Sequence, residues 1–230
     1  MVRECLNGNF VTHTSMRAAL FSLEGPPVDL GTLGGTRAAA ADINEPGQIV
    51  GVAETATGES HAFLYEDGVM FDLGTLGGTT SNANAINNRG EIVGRALLAN
   101  GAIRAFLYRD GIMHDLGTLG GASSVAFDIN DRGEVVGFSW ASNGEAHAFL
   151  YKDGVMYDLS TLGGIDSRAY GINNKKGRSL ARIRKRTAVF MPSSIVMARC
   201  FLCRTWVGER GVPADHIVAC TFPRRHKNRR

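Results

Sequence analysis

The segment Asp-Leu-Gly-Thr-Leu-Gly-Gly stands at Asp29–Gly35, Asp72–Gly78 and Asp115–Gly121, and returns with one change at Asp158–Gly164, where Ser160 replaces a glycine. Successive copies begin 43 residues apart, with no insertion or deletion between them. A fixed period of this size is the mark of a repeat architecture, in which one supersecondary unit buries its apolar faces only against its neighbours. The chain is therefore read first as a stack or ring of equal units.

One unit reads as a four-strand meander. In the copy from Ala83 to Leu119, Ala85-Ile86-Asn87 and Glu91-Ile92-Val93-Gly94 flank Asn88-Arg89-Gly90. Two short apolar runs around Asn-x-x-Gly predict a hairpin whose Gly takes the left-handed conformation of a bulged turn. Asn100-Gly101 follows, matched by Asn143-Gly144 and Thr57-Gly58, and predicts a two-residue hairpin loop. Asp110-Gly111, matched by Asp67-Gly68 and Asp153-Gly154, predicts a third turn before Ile112–Leu116. Three hairpins make four antiparallel strands, and Gly-Thr-Leu-Gly-Gly becomes the link to the next sheet. The fold expected is all-β, a β-propeller-like array of four-stranded antiparallel sheets. A β-solenoid is the other architecture with such a period, and tight hairpins favour meanders over it.

The units set the boundaries. The repeat domain covers 1–174, as a partial unit 1–28, full units 29–71, 72–114 and 115–157, and a partial unit 158–174. Residues 5–30 align with the last three strands of a sheet, and Arg168–Asn173 with a first strand. The two could complete one another and close a four-bladed ring, which removes exposed strand edges. Ile43, Ile86 and Ile129, and Phe63, Phe106 and Phe149, are the expected core.

The motifs Asp-Ile-Asn-x-x-Gly-x-Ile-Val-Gly, His61-Ala62-Phe63-Leu64-Tyr65 and Asp-Leu-Gly-Thr-Leu-Gly-Gly, recurring in order over residues 17–174, resemble the HAF repeat of bacterial proteins. His147–Phe149 repeats the His-Ala-Phe segment, and Arg104-Ala105-Phe106 departs from it. The resemblance implies an extracellular or cell-surface repeat protein with no catalytic residues to carry over. No apolar run at the start of the chain reads as a secretory signal, and none reaches membrane-spanning length.

Charge divides the chain. Residues 175–230 hold 15 Lys or Arg against 2 Asp or Glu, and residues 1–174 hold 10 against 20. Cys200, Cys203 and Cys220 lie in the basic segment and only Cys5 in the repeats, so no disulfide framework supports the repeats. The period stops at Asn173-Asn174, and the segment 175–230 reads as a basic, disordered tail translated out of frame. Taking the last base of one codon with the first two of the next, Met191–Pro192 gives Ala, 43 residues after Ala148. Met197–Ala198 gives Gly, 43 residues after Gly154. The neighbouring codons allow His-Ala-Phe-Leu-Tyr-x-Asp-Gly across the same stretch.

Few residues carry chemistry. Cys200-x2-Cys203-x12-His216-x3-Cys220 has zinc-ligand spacing. Val207 and Pro213 stand where such a finger places its core, so the expectation is no metal site, with these four as the alternative. The charge of the runs Arg182–Arg186 and Arg224–Arg230 predicts non-specific binding to nucleic acid, and no specific nucleic-acid partner is expected. Asp128–Glu134 has the outline of a calcium loop, but Arg132 occupies an oxygen-ligand position, and a turn is the better reading. His61 and His147 recur with the units, whereas catalytic sites need unlike residues converging on one place. No catalytic residue and no cofactor is therefore assigned. The function expected is a non-enzymatic scaffold that binds a protein or a carbohydrate. Its variable segments are Val52–Ser60, Arg95–Ile103 and Phe138–Ala146, with Trp140 a candidate to stack on a sugar. The alternatives are a hydrolase with its site at a propeller channel, and zinc or nucleic-acid binding through the tail.

Overall fold

The computed structural model describes residues 2–6, 9–13, 16–21, 26–161, 164 and 166–174. Among them there is no helix, and every strand pairing is antiparallel. Three four-stranded sheets follow the sequence period. The first joins β5 (Gly34–Ile43), β6 (Ile49–Thr55), β7 (Ser60–Glu66) and β8 (Val69–Asp72). The second joins β9 (Gly77–Ile86), β10 (Ile92–Leu98), β11 (Ile103–Arg109) and β12 (Ile112–Asp115). The third joins β13 (Gly120–Ile129), β14 (Val135–Ala141), β15 (Ala146–Lys152) and β16 (Val155–Asp158). Each is a meander in sequence order, as the three turn signals require.

The turns explain the register. Gly90 N–H donates to the Asn87 carbonyl while Asn87 N–H donates to that of Glu91, enclosing a three-residue loop with Gly90 at φ 77°. The Asp-Gly turns are two-residue loops with both φ positive, 52° at Asp110 and 77° at Gly111, as the twist of a tight hairpin demands. The Asn-Gly turn differs from the sequence expectation. Leu98 N–H bonds to the Ala102 carbonyl and Gly101 N–H to that of Leu98, so the loop has three residues and only Gly101 is left-handed. Asn100 instead turns its side-chain oxygen to the Ala102 N–H. The extra residue is a bulge, and it is the same device as at the first turn.

The heptapeptide is a self-capped link. Asp72 accepts the Gly74 N–H at 2.8 Å, and Gly74 has φ 72°. Thr75 accepts the Gly77 N–H and donates to the Gly78 carbonyl. Leu73 between them is buried. In the fourth copy Ser160 holds the left-handed position at φ 66°. An L side chain there costs about 1–2 kcal/mol. Ser160→Gly is therefore expected to raise stability by about 1 kcal/mol, read as a shift of the urea midpoint; an unchanged or lower midpoint would refute the strain.

The core lies between sheets, not within them. Val50 and Ala62 of the first unit, with Leu73 of the link that follows, pack against Ile86, Ile92 and Phe106 of the second. Val93 and Leu107 of the second unit, with Leu116 of the link that follows, pack against Ile129, Val135 and Phe149 of the third. Phe63, Phe106 and Phe149 are fully buried, each facing the unit before it. Gly94 permits the close approach of β9: a Cβ there would lie 2.0 Å from the Asn82 carbonyl oxygen.

The flanks depart from expectation. Ile86 and Ile129 are buried, but Ile43 is 51% exposed. The equivalent side chains pack on a valine of the preceding unit, and the position 43 residues before Val50 is Asn7. The described residues of 5–30 do not form three strands of one sheet. β1 (Val2–Leu6) pairs with β2 (Asn9–His13), and β3 (Ala19–Leu20) separately with β4 (Val28–Asp29). Residues 166–174 make isolated contacts and no extended strand: Ser167 N–H bonds to the Ala146 carbonyl and Ala169 N–H to that of Gly137. The expectations for 175–230, including Cys200, Cys203, His216 and Cys220, lie outside the described residues.

Candidate binding face

Two sets of buried polar side chains lock the units together, and both recur with the period. Asn44 Nδ2 donates to the Asn87 carbonyl at 3.0 Å, Asn87 Nδ2 to that of Asn130 at 3.0 Å, and Asn130 Nδ2 to that of Asn173 at 3.2 Å. The same asparagines fold their own turns, since Asn87 Oδ1 accepts the N–H groups of Arg89 and Glu91. A second ladder runs beside it, from Glu45 N–H to Asn88 and from Asn88 N–H to Asp131. Ser81, Ser124 and Ser167, all buried, each accept an N–H from the preceding unit's third strand, at Ala62, Ala105 and Ala148. Each hydroxyl also donates to a carbonyl of the link, at Gly74, Gly117 or Ser160. In a single unit these asparagines read as local turn residues and the serines as ordinary small polar positions. The 43-residue spacing of both sets was the available signal.

The histidines belong to the links. His61 Nδ1 meets Asp72 at 2.9 Å and His147 Nδ1 meets Asp158 at 2.7 Å, while Arg104 reaches Asp115 at 3.8 Å. The hydrogen bond to Asp158 raises the pKa of His147 above its ordinary value, with Glu145 3.6 Å from Nε2 adding to it against partial burial. Its raised folded value means the His147 contribution is complete below the unfolded pKa of about 6.5. It is lost as pH rises through the folded value. His147→Gln should therefore flatten the part of the thermal-midpoint curve that falls as pH rises above about 6.5 in the parent; an identical slope in both proteins would contradict this.

The Asp128–Glu134 segment is a turn, as the sequence suggests. Asn130 Oδ1 accepts the Arg132 and Glu134 N–H groups, and Gly133 has φ 78°. Glu134 is buried yet charged: the Arg132 hydrogen bond, with help from Asn130 and Lys152, holds its pKa at about 2. Burial pushes the Asp128 carboxyl up, against hydrogen bonds from the Ile172 and Ile129 N–H groups, and the charge of Asp42 adds to the rise. No group of three or more His, Cys, Asp or Glu suited to a metal ion occurs among the described residues. No helix among them is long and apolar enough to cross a membrane.

The variable segments line clefts. One cleft of about 260 Å3 is lined by Arg37, Ala39, Val52, Glu54 and Ser60. The next, of about 530 Å3, takes Val52 and Ser60 from the first unit and Thr80, Asn82, Arg95 and Leu97 from the second. The second-unit positions are those of the first cleft moved by one period, and Val52 and Ser60 serve both. At the far end the positions of Arg95 and Leu97 become aromatic, as Phe138 and Trp140. Arg168 lies 4.4 Å over the Phe138 ring, and Phe127 stacks on Tyr170, one period later, at 4.8 Å. A third cleft, of about 530 Å3 and mostly polar, lies by the Asp-Gly turns between Arg89, Arg109, Arg132 and Asp153.

No protein-family model, no curated protein and no solved structure matches this chain.

Proposed function

We propose that the protein is a non-enzymatic repeat scaffold of the HAF type, part of a secreted or surface β-propeller-like protein, and that it binds a protein or carbohydrate partner through the recurring clefts. One observation carries the reading. The same cleft recurs at successive unit junctions, its floor set by a constant core and its lining changed from unit to unit. Variation confined to the lining of a repeated recess is what a binding scaffold needs. The propeller-like arrangement is supported by the neighbouring first strands β5, β9 and β13 and by the charge of Asp42 acting on Asp128, two units away. Asp42→Asn should accordingly lower the pKa of Asp128, followed by carboxyl NMR titration; no change would argue for an open stack. The extracellular setting rests on the family resemblance.

Binding is tested by presenting the folded chain with an oligosaccharide array and a displayed random-peptide library. Enrichment of at least one class, lost in Arg95→Glu at unchanged melting temperature, is the expected result. Failure of both classes, or binding indifferent to Arg95→Glu, would overturn the proposal.

A further inference from the structure

We infer that Asn100 is a site of spontaneous covalent modification, converted to aspartate and isoaspartate through a cyclic imide, and that Asn143 is its shielded counterpart. The second hairpin loop carries Asn-Gly in two units, at Asn100-Gly101 and Asn143-Gly144, and Thr57-Gly58 in the first. Both asparagines are exposed. Both sit in three-residue loops closed by backbone bonds, and the glycine that follows each has φ 80°. The surroundings are open, since a Cβ on Gly101 or Gly144 would meet nothing within 4 Å.

Ring closure needs the backbone nitrogen of the next residue to reach the side-chain carbonyl carbon. Glycine has no side chain to obstruct that approach. In both loops the side-chain oxygen accepts the N–H two residues on, from Ala102 to Asn100 and from Glu145 to Asn143, each at 3.0 Å. This donor stands where negative charge develops on the oxygen as the ring closes. The Gly101 nitrogen gives up its proton and bonds to Asn100 Cγ. The Cγ–Nδ2 bond breaks, and the amide nitrogen leaves as ammonia, carrying that proton. Water then opens the five-membered ring. Cleavage at Cγ gives aspartate, and cleavage at the backbone carbonyl gives isoaspartate. Water is the sole co-reactant.

The ladder asparagines are not candidates. Asn44, Asn87 and Asn130 are buried, both ends of each amide are hydrogen-bonded, and Glu45, Asn88 or Asp131 follows in place of glycine. The two exposed asparagines differ at their amide nitrogen. Asn143 Nδ2 donates to the Glu145 carboxylate at 2.9 Å, whereas Asn100 Nδ2 has no partner among the described residues. The carboxylate pins the Asn143 amide and opposes the negative charge that the Gly144 nitrogen must develop to attack. A unit charge at contact distance in a water-exposed site slows such a step about fivefold, equivalent to ~1 kcal/mol. Leu97 and Ile103, on the strands that the Asn100 loop joins, line the second cleft. Modification therefore adds a carboxylate to that loop and, in the isoaspartyl form, one carbon to its backbone.

The folded full-length chain is incubated at mildly alkaline pH and sampled by tryptic mapping. Trypsin releases the two loops separately, as Ala96–Arg104 and Gly133–Lys152. The readout is the mass change of NH replaced by O, with isoaspartate separated from aspartate by chromatography. Asn100 should accumulate product about fivefold faster than Asn143. Its rate should rise with pH, because the Gly101 nitrogen must lose a proton. In the urea-unfolded chain the two rates should converge, since the Glu145 hydrogen bond is gone. Glu145→Gln keeps an acceptor but removes the charge. It should bring Asn143 toward the Asn100 rate and leave Asn100 unchanged. An Asn100 that stays intact in the folded chain, while the unfolded chain reacts, would overturn the inference. So would equal rates at the two loops of the folded parent.

Discussion

Phe106→Ala is expected to destabilise the repeat domain by about 3–5 kcal/mol, the range for emptying a large aromatic from a close-packed core. Phe106 is fully buried, and its surroundings come from two units, with Val50, Ala62 and Leu73 on one side and Ile92 and Ala96 on the other. The cavity therefore opens in the junction that couples two units. In a quasi-linear array stability is a sum of unit terms and neighbour terms, so losing a neighbour term also lowers cooperativity. Urea unfolding should show both an earlier midpoint and a shallower slope. Phe71 provides the contrast: it is 49% exposed, and Phe71→Ala should change stability by less than about 0.5 kcal/mol. Equal effects at the two positions would mean that the strand faces are assigned the wrong way round.

The legible features were those encoded within a unit. Asp110-Gly111 forces a tight hairpin whatever its neighbours do, and the apolar run Ala105-Phe106-Leu107 between turns marks a buried strand. Features that depend on two units at once were not legible from one copy. Ser81 looks like an ordinary small polar residue until Ala62 of the previous unit is placed against it. Ile43 opens the same Ile-Asn-x-x-Gly motif as Ile86 but has a different neighbour, and exposure follows the neighbour. Asn100-Gly101 carries a strong two-residue signal, yet the backbone bonds of Leu98 enclose three residues. The Asn side chain satisfies the turn without itself taking positive φ. The clefts were half legible. The variable segments were visible as such, but the recess that Val52 and Arg95 share arises only when adjacent sheets pack.

The asparagine ladder makes the second large effect. Asn87 is buried and its side chain makes four hydrogen bonds: to the Asn130 carbonyl, to the Glu91 carboxylate, and from the N–H groups of Arg89 and Glu91. At about 0.5–1.5 kcal/mol for each bond, with water recovering the exposed Arg89 group, Asn87→Ala should cost about 2–4 kcal/mol. The size alone does not separate a local turn from a link between units, but a double-mutant cycle does. Asn130→Ala disturbs the turn whose carbonyl Asn87 grips, so if the ladder couples the units the two losses overlap. An interaction energy of about 0.5–3 kcal/mol is then expected in the double variant. Asn44 and Asn130 should behave differently as a pair, because the ladder connects them only through Asn87. Their losses should add to within about 0.5 kcal/mol. Additivity for Asn87 and Asn130 as well would reduce the ladder to three independent turns. The junctions would then be held by the apolar contacts and the buried serines alone.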